Sequence, residues 1–300
     1  MNKAVLKAFF SFLSTRHKVL NIISVLKLKG YFVLDNGYKL NFNHKNKRDV
    51  VRIFLFAVEN GVEFSDKKGF WSLDFENNLI ITSNGIKFKI EKFSSCIFSE
   101  TFLFDIHFLD NVSGKIIIQA GGFTGDTALY YASKGAVIYS FEPDPNSFRI
   151  ACENISLNQN ISNNIVMKNY AIGKDEIIDF PVNESGSGDS SVYELNGRNI
   201  VQIRSASISK ILEEFDIREP YLLDLDIKGN EFEVINDKSI AKFQKVRIEY
   251  SPLLVNKIED GRDLLIHKLG EYGFKNIRVF KHNDAKFDLH YHGTIQASRI

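Results

Sequence analysis

The stretch QAGGFTGD at residues 119–126 decides the fold, because it joins a mostly apolar run to a segment of helical character. The apolar run covers residues 115–120, and the helical pattern covers residues 124–133. Glycines at such a junction let the backbone turn sharply and approach a ligand closely, and a helix N-terminus presents N–H groups to it. The stretch therefore predicts a ligand-binding loop between a strand and a helix. A tight turn without a ligand is the alternative, since the glycines lack the spacing of the dinucleotide pattern.

Glu142 directly follows the next predicted strand, at residues 137–141. An acidic residue placed one helix and one strand after a glycine loop can accept hydrogen bonds from both hydroxyls of a ribose. Asp144 and Pro145 then open a helix, because Asp caps a helix and Pro suits its first turn. We therefore expect Glu142 to bind a nucleotide-type ligand. A helix-capping or exposed carboxylate is the alternative.

Carboxylates also occur at the ends of two later strands. Residues 221–226 predict a buried strand that ends at Asp226. Burying a carboxylate is costly unless it meets water, a cation or a ligand, so Asp226 is expected at the ligand-binding edge of the sheet, with a helix cap as the alternative. Asp224 and Lys228 are expected to neutralise each other. Two further acidic residues are candidates. Glu231 is close to this strand in sequence, and Glu249 lies on the predicted strand at residues 245–250.

Two regions differ in pattern. From about Ser99 onward, strands alternate with helices, which predicts a mostly parallel sheet with crossover helices. Ligands bind such sheets at the carboxyl ends of the strands. Before Ser99 the segments are short, and Asn36-Gly37 marks a hairpin. The sequence thus predicts an α/β protein with a small N-terminal α/β accessory region at residues 1–98 and a main domain at residues 99–300. Residues 183–191, rich in Gly and Ser, predict a loop.

Composition narrows the functional classes. Basic and acidic residues number 38 and 37, for a net charge of +1, which gives no electrostatic reason to expect a nucleic-acid partner. The two cysteines lack paired spacing, which fits a reducing, cytoplasmic setting. No stretch approaches the roughly 18 apolar residues of a transmembrane segment. An apolar stripe within residues 4–13 predicts a helix docked on the protein, with membrane-surface contact or a homo-oligomer as alternatives.

Taken in order, these motifs resemble the FkbM family of S-adenosylmethionine-dependent methyltransferases, from about Ser99 to Ile300. The resemblance is carried by IQAGGFTGDTA (118–128), YSFEPDP (139–145), AIG (171–173), SGSG (185–188), LDLDIKGNE (223–231) and IEY (248–250). It implies a class I methyltransferase fold, which is a Rossmann-like sheet of seven strands. The last two strands, at residues 274–280 and 293–299, would then form an antiparallel hairpin.

The resemblance also implies the cofactor, S-adenosyl-L-methionine, and roles for individual residues. Glu142 would hold the ribose, and Tyr170 and Ala171 would lie near the adenine. The implied cofactor-binding residues are Gln119, Gly121, Gly125, Asp126, Thr127, Glu142, Tyr170 and Ala171, and the implied catalytic residues are Asp226, Glu231 and Glu249. The implied activity is O-methylation of a sugar, a glycan or a natural product. Asp226 would take the hydroxyl proton or hold a cation that does so indirectly.

Three positions depart from the family pattern. Gln119 stands where an acidic residue is usual, Asp224 where Lys is common, and Lys228 where Glu is common. A non-catalytic cofactor-binding protein on the same fold is therefore one alternative. A metal-dependent nucleotide-sugar glycosyltransferase is another, because residues 224–226 match a short Asp-x-Asp metal-binding pattern. The sequence specifies neither the acceptor nor a metal.

Overall fold

The computed structural model describes residues 10–107, 111–182, 199–251, 261–281, 289 and 292–299. The chain forms two compact units, Met1–Ile106 and His107–Ile300, called here the N-terminal unit and the C-terminal unit. The predicted loop at residues 183–191 and most of the apolar stripe at residues 4–13 lie outside the described residues. Within the described part of the chain, no helix is both long and apolar enough to cross a membrane.

Short strands and helices make up the N-terminal unit. Its elements are α1 (Lys18–Val25), β1 (Gly30–Val33), β2 (Lys39–Phe42), α2 (Lys47–Asn60), β3 (Ser72–Asp74), β4 (Leu79–Ile81), β5 (Lys87–Lys89) and α3 (Ser95–Phe98), with a 3-10 turn at Ile90–Lys92 and a π-helical segment at Ser99–Leu103. β1 and β2 pair antiparallel around Asn36-Gly37, as the sequence predicted. β3, β4 and β5 form an antiparallel sheet. α2 ends at Gly61, whose left-handed backbone caps the helix.

Aromatic side chains fill the interior of the N-terminal unit. Phe32 stacks on Phe42 with ring centroids 4.8 Å apart, and Phe12 stacks on Phe54 at 5.0 Å. Trp71 packs against several further rings in a second group. The high Phe content of the first hundred residues therefore serves packing, since buried aromatic pairs add to the burial of apolar area.

The C-terminal unit alternates strands and helices. Its elements are β6 (Ile116–Ala120), α4 (Asp126–Ser133), β7 (Val137–Phe141), α5 (Pro145–Ser156), α6 (Gln159–Ser162), β8 (Ile165–Lys168), β9 (Ala171–Ile172), β10 (Glu176–Val182), β11 (Asn199–Ala206), α7 (Ile208–Glu214), β12 (Leu222–Asp226), α8 (Glu231–Val234), β13 (Lys245–Tyr250), α9 (Gly261–Glu271), β14 (Asn276–Phe280) and β15 (Gly293–Ser298), with a 3-10 helix at Lys238–Lys242.

Seven strands of the described C-terminal unit form one sheet in the order β14-β15-β13-β12-β6-β7-β8. Neighbours from β13 to β8 run parallel, and β15 runs antiparallel to both β13 and β14. This confirms the predicted class I methyltransferase sheet with its antiparallel final hairpin. After β6, the strands β7 and β8 are added on one side of β6. The later strands β12 and β13 are added on its other side. The order therefore switches between β6 and β12, where α/β sheets bind ligands.

The two faces of this sheet differ in chemistry. One face is apolar: Ile118, Leu223, Leu225 and Ile248 belong to the main buried core. The other face carries a row of polar residues in register, called here the polar row: Ser140, Gln119, Asp224 and Arg247 on β7, β6, β12 and β13. All four are buried. Because buried polar groups need partners, the polar row must be satisfied internally.

A three-stranded sheet of β9, β10 and β11 was not predicted from the sequence. β10 and β11 form an antiparallel pair, and β11 runs parallel to β9. Burial along β10 does not alternate, because residues from Phe180 to its end are buried while Ile177 is exposed. The two-residue period that reveals a half-buried strand is therefore missing from this segment.

Candidate active site

The glycine loop between β6 and α4 lies against the end of β12. Gly121 and Gly125 adopt left-handed φ angles of 86° and 79°. A Cβ atom on Gly121 would lie 2.0 Å from the backbone oxygen of Asp226. Two features therefore require glycine at residue 121: its left-handed backbone conformation, and the lack of space for a Cβ atom next to the Asp226 backbone. This close approach brings the loop and the carboxyl end of β12 together, as the sequence predicted for a site at this edge.

Glu142 connects the end of β7 to the glycine loop. Its Oε2 accepts a hydrogen bond from the backbone N–H of Phe123 at 2.7 Å, and its Oε1 accepts one from the N–H of Asp144 at 2.8 Å. Burial raises the pKa of Glu142 to about 7, although these two bonds oppose the rise. The carboxylate thus lies at the predicted place, within reach of the loop and at the ligand edge of the sheet.

Asp126 and Thr127 form the first turn of α4. The Thr127 hydroxyl donates to Asp126 at 3.2 Å, and the Thr124 hydroxyl donates to the other carboxylate oxygen at 3.3 Å. Burial raises the pKa of Asp126 to about 6. An acidic group at a helix N-terminus is favoured by the helix dipole, so Asp126 stabilises the start of α4 directly behind the loop.

Asp226, Lys228 and Glu249 form an ionic cluster at the ends of β12 and β13, called here the carboxylate–lysine cluster. The Lys228 ammonium lies 3.2 Å from Asp226 Oδ1 and 2.9 Å from Glu249 Oε1. The inner oxygen Oδ1 of Asp226 is buried, whereas its side chain as a whole is 39% exposed. Burial, and then the charge of Glu249, raise the pKa of Asp226. Burial alone would lower the pKa of Lys228, but Asp226 and Glu249 raise it well above its usual value.

The predicted pairing of Asp224 with Lys228 is wrong. Asp224 instead lies 2.6 Å from the Arg247 guanidinium and accepts a 2.7 Å hydrogen bond from the Tyr131 hydroxyl. The register explains this, because Arg247 lies directly opposite Asp224 on β13. Lys228 lies in the loop after β12, and its ammonium pairs with Asp226, the last residue of that strand. The local charges are therefore paired across strands and not along the chain.

The Asp-x-Asp pattern at residues 224–226 does not form a shared cation site. Asp224 and Asp226 lie on the same face of β12, but each already has its own cationic partner, Arg247 and Lys228 respectively. Among the residues that the structure describes, no group of three or more His, Cys, Asp or Glu side chains is arranged to hold a metal ion. The pattern gives no support to a metal-dependent glycosyltransferase.

Glu231 was predicted to face the reacting end, but its side chain is fully buried beneath the loop. Its two oxygens accept hydrogen bonds from the backbone N–H of Gly229 at 2.6 Å and of Ser251 at 2.7 Å. Burial raises the pKa of Glu231 to about 7. A carboxylate held in this way ties the loop after β12 to the end of β13. Glu231 is therefore a positioning residue, because it holds the loop that carries Lys228.

Three other predicted cofactor residues, Gln119, Tyr170 and Ala171, lie in different surroundings. Gln119 is buried, accepts a 2.8 Å hydrogen bond from the Ser140 hydroxyl, and points its amide nitrogen toward the backbone oxygen of Gly121 at 3.4 Å. Tyr170 follows β8; its hydroxyl lies 3.2 Å from Glu214, and the Arg204 guanidinium lies over its ring. Ala171 is buried at the start of β9. Gln119 thus contacts the loop from inside the sheet. The Tyr170 ring packs against Phe141 at the end of β7, with centroids 5.9 Å apart.

Sequence reasoning missed several asparagines that hold the site together. The amide of Asn154, on α5, donates to the backbone oxygen of Thr124 in the glycine loop at 2.9 Å. The amide of Asn169 donates to the backbone oxygens of Glu142 and Pro143 at 2.8 and 3.0 Å. A buried asparagine in the middle of a helical apolar stripe, as at Asn154, is the signal that could have revealed the first contact.

A Gly121→Ala variant should lose about 2–4 kcal/mol of its free energy of unfolding, from left-handed strain and from contact with the Asp226 backbone. Gly114→Ala is the matched control, because Gly114 also has a positive φ of 68° but has no atom within 4 Å of its Cβ position. The control should lose about 1–2 kcal/mol. Urea unfolding measures both. Equal losses in the two variants would show that the close approach to β12 does not matter.

Comparison with known proteins identifies the family through one domain match and finds several solved structures with low similarity. Residues 119–280 match the methyltransferase FkbM domain, and no curated protein matches the chain in sequence. The METTL16 MTase domain shares 11% identity with a TM-score of 0.47, over 95% of either chain. An S-adenosylmethionine-dependent O-methyltransferase from Thermotoga maritima shares 15% identity over 75% of this chain and 78% of its own, with a TM-score of 0.41.

A putative O-methyltransferase from Klebsiella pneumoniae shares 10% identity over 67% of this chain and 78% of its own, with a TM-score of 0.40.

The domain match begins at the glycine loop and ends with β14. It includes Glu142, both carboxylates of the carboxylate–lysine cluster and the strands that carry them. Because this match spans more than half of the sequence, the chain belongs to the FkbM family of S-adenosylmethionine-dependent methyltransferases.

Proposed function

We propose that this methyltransferase transfers a methyl group to a hydroxyl oxygen of a sugar, a glycan or a natural product. The observation that carries the proposal is Asp226, a partly exposed carboxylate at the end of β12 with a raised pKa. Methylation of a hydroxyl releases a proton, and a carboxylate with a raised pKa is a stronger base, which makes it a better acceptor for that proton. Asp226 is the candidate for this role.

The residues around the glycine loop fit S-adenosylmethionine. Glu142 uses two of its roughly four acceptor positions on backbone N–H groups, so the remaining positions can accept the two ribose hydroxyls. Asp226, Lys228 and Glu249 together carry one net negative charge, which favours a cationic sulfonium nearby. We propose that Gly121, Gly125, Asp126 and Thr127 shape the cofactor loop, with Gln119 bracing it and Tyr170 and Ala171 near the adenine.

The proposed reaction needs positioning and one proton acceptor. Bound S-adenosylmethionine supplies an activated methyl group, so holding the acceptor oxygen in line with it provides much of the rate. Lys228 keeps Asp226 oriented and favours its ionised form, because the ammonium lies between the two carboxylates. Glu249 anchors Lys228, and Glu231 fixes the loop that carries it. Asp226 then receives the proton of the acceptor hydroxyl as the oxygen is methylated.

The test is turnover on a panel of hydroxylated acceptors, namely free sugars, oligosaccharides and polyhydroxylated natural products. The purified chain is incubated with S-adenosylmethionine, and release of S-adenosylhomocysteine is measured together with the mass of each acceptor. A methyl ether on at least one acceptor is the expected product. Cofactor binding without turnover on any acceptor would contradict the proposal and favour a binding protein on the same fold. Methylation at nitrogen or carbon alone would contradict the choice of oxygen.

Glu142 should make cofactor binding depend on pH. A protonated carboxyl cannot accept both ribose hydroxyls, and the pKa of Glu142 is about 7. Affinity for S-adenosylhomocysteine should therefore rise roughly tenfold between about pH 6 and pH 8 and then level off. Glu142→Gln should bind more weakly and lose most of this slope. Calorimetry across this range measures both proteins.

Asp126 and Glu231 also have raised pKa values, near 6 and 7. The comparison with Glu142→Gln separates their contribution from that of Glu142, because the variant leaves both of them in place. A wild-type affinity that is independent of pH, or a variant that keeps the full slope, would show that Glu142 does not accept the ribose hydroxyls.

A further inference from the structure

Several large apolar residues in and directly after helix α1 point away from the protein, while Leu20 and Ile22 are half-buried. Val19, Ile23 and Leu26 lie on one side at helical spacing, and they are 66%, 46% and 85% exposed. Asn21 and Ser24 lie on the opposite side and are buried. Amphipathic helices on globular proteins normally bury the apolar side and expose the polar side. In α1 this arrangement is reversed.

A buried hydrogen-bond group fixes this orientation. The side-chain oxygen of Asn21 accepts from the backbone N–H of Val33 at 2.7 Å, and its amide nitrogen donates to the backbone oxygen of Val33 at 2.9 Å. The same amide nitrogen also contacts the Thr15 hydroxyl at 3.2 Å. Rotating α1 to bury its apolar side would break these bonds and leave buried polar groups of β1 unsatisfied, which is costly. The outward direction of Val19 and Ile23 is therefore built into the fold.

Exposed large apolar side chains also precede and follow α1 in the sequence. Seven of the eleven exposed large apolar side chains among the described residues fall between Phe10 and Leu28. Leu28 is 75% exposed. The Lys47 ammonium binds the backbone oxygens of Val25 and Lys27, the latter at 2.7 Å, and so holds the segment after the helix in place. Single exposed apolar residues are ordinary, but a concentrated group marks an interaction surface. We call residues 10–29 the apolar–basic face.

Charge indicates what this face binds. Residues 1–34 contain six Lys or Arg and no Asp or Glu, although the whole chain is almost neutral. Arg16, Lys18, Lys27 and Lys29 are exposed in this face. The first acidic residue, Asp35, accepts a hydrogen bond from the backbone N–H of Arg16. Two copies of the face brought together would place like charges opposite each other, which is unfavourable.

We propose that the apolar–basic face lies on the surface of an anionic lipid membrane. Outward apolar side chains bordered by Lys and Arg are the features with which amphipathic segments enter the headgroup region of a bilayer. Anionic lipids supply both an apolar layer for Leu26 and Leu28 and negative charge for Lys27 and Lys29. The face lies on the bilayer and does not cross it. This inference concerns the N-terminal unit and does not depend on the acceptor of the methyl group.

The test uses the full chain and vesicles of phosphatidylcholine, alone or mixed with phosphatidylglycerol. Co-sedimentation should show binding to the mixed vesicles at low salt and roughly tenfold weaker binding to phosphatidylcholine alone. At about 0.5 M salt the protein should be released, because salt screens the exposed charges. Ile23→Gln/Leu26→Gln/Leu28→Gln should weaken binding by roughly tenfold or more. Lys27→Gln/Lys29→Gln should weaken binding to the mixed vesicles, with little change on phosphatidylcholine.

Ile177→Gln/Ile200→Gln is the matched control, because both residues are exposed, at 63% and 50%, but belong to β10 and β11. It should bind vesicles like the wild type. Thermal unfolding confirms that each variant is folded. No binding to anionic vesicles at low salt would overturn the proposal, and so would equal losses in the triple variant and the control. A dimer that the triple variant dissociates, without vesicle binding, would assign the face to self-association.

Discussion

An Arg247→Met variant is expected to lose about 3–5 kcal/mol of its free energy of unfolding, because it leaves a buried carboxylate without its cation. Arg247 and Asp224 are both almost fully buried, and their side chains lie 2.6 Å apart. Burial alone would lower the pKa of Arg247, but Asp224 and its other neighbours raise it further above its usual range, so the guanidinium stays charged. The Tyr131 hydroxyl, 2.7 Å from Asp224, is neutral and cannot replace it.

Urea unfolding of the variant and the wild type measures the loss. Arg218→Met is the matched control, because Arg218 pairs with Asp216 on the surface, where both side chains are more than three-quarters exposed. Exposed pairs contribute about 0–1 kcal/mol, so the control should stay close to the wild type. The double variant Asp224→Leu/Arg247→Met should be more stable than Arg247→Met, since it removes the unpaired charge as well. Similar losses in Arg247→Met and Arg218→Met would show that the polar row does not depend on this ion pair.

The framework of the site could be predicted from the sequence because it follows from local order along the chain. The glycine loop, Glu142 and Asp226 each end or follow a strand whose apolar run is visible in the sequence. Parallel strands bring their carboxyl ends to one edge, so the order of these residues was enough to place them together. The antiparallel final hairpin was also predicted, but through the family resemblance and not from the periodicity of its strands.

The partners of the charged residues could not be predicted, because they depend on the register between strands. Asp224 is four residues from Lys228 in sequence, yet its partner Arg247 lies on the neighbouring strand. The family resemblance implied a place for Glu231 at the reacting end. Its burial beneath backbone N–H groups becomes visible only in three dimensions.

The N-terminal unit shows a different limit. The predicted docking of the apolar stripe at residues 4–13 falls mostly outside the described residues. The apolar surface that the structure does describe lies on and beside α1 and points outward. A hydrophobic pattern reveals the two sides of a helix but does not say which side is inside. Asn21 decides this here, because its side chain replaces a backbone partner for Val33. Such a bond is formed over a distance of 12 residues and has no sequence signature.

The proposed role of Asp226 predicts that Asp226→Asn will lower kcat for methyl transfer by about 10²–10⁴-fold, which is the usual contribution of a positioned proton acceptor. Asparagine keeps the shape of the side chain but cannot take the proton. Lys228 should stay in place, because Glu249 holds its ammonium at 2.9 Å. The affinity for S-adenosylhomocysteine should change by no more than roughly threefold, since the lost interaction belongs to the transition state.

Steady-state kinetics on an acceptor that the panel of hydroxylated compounds identifies, together with calorimetry, separate these effects. Asp216→Asn is the matched control, because Asp216 is exposed on the surface and accepts hydrogen bonds from Arg218. It should keep wild-type kcat. The remaining activity of Asp226→Asn should rise with pH, as the acceptor hydroxyl ionises without help, whereas wild-type kcat should level off once Asp226 is ionised. A kcat close to wild type would remove Asp226 as the proton acceptor. Weaker binding of S-adenosylmethionine, with kcat and the affinity for S-adenosylhomocysteine unchanged, would instead assign this carboxylate to binding of the sulfonium.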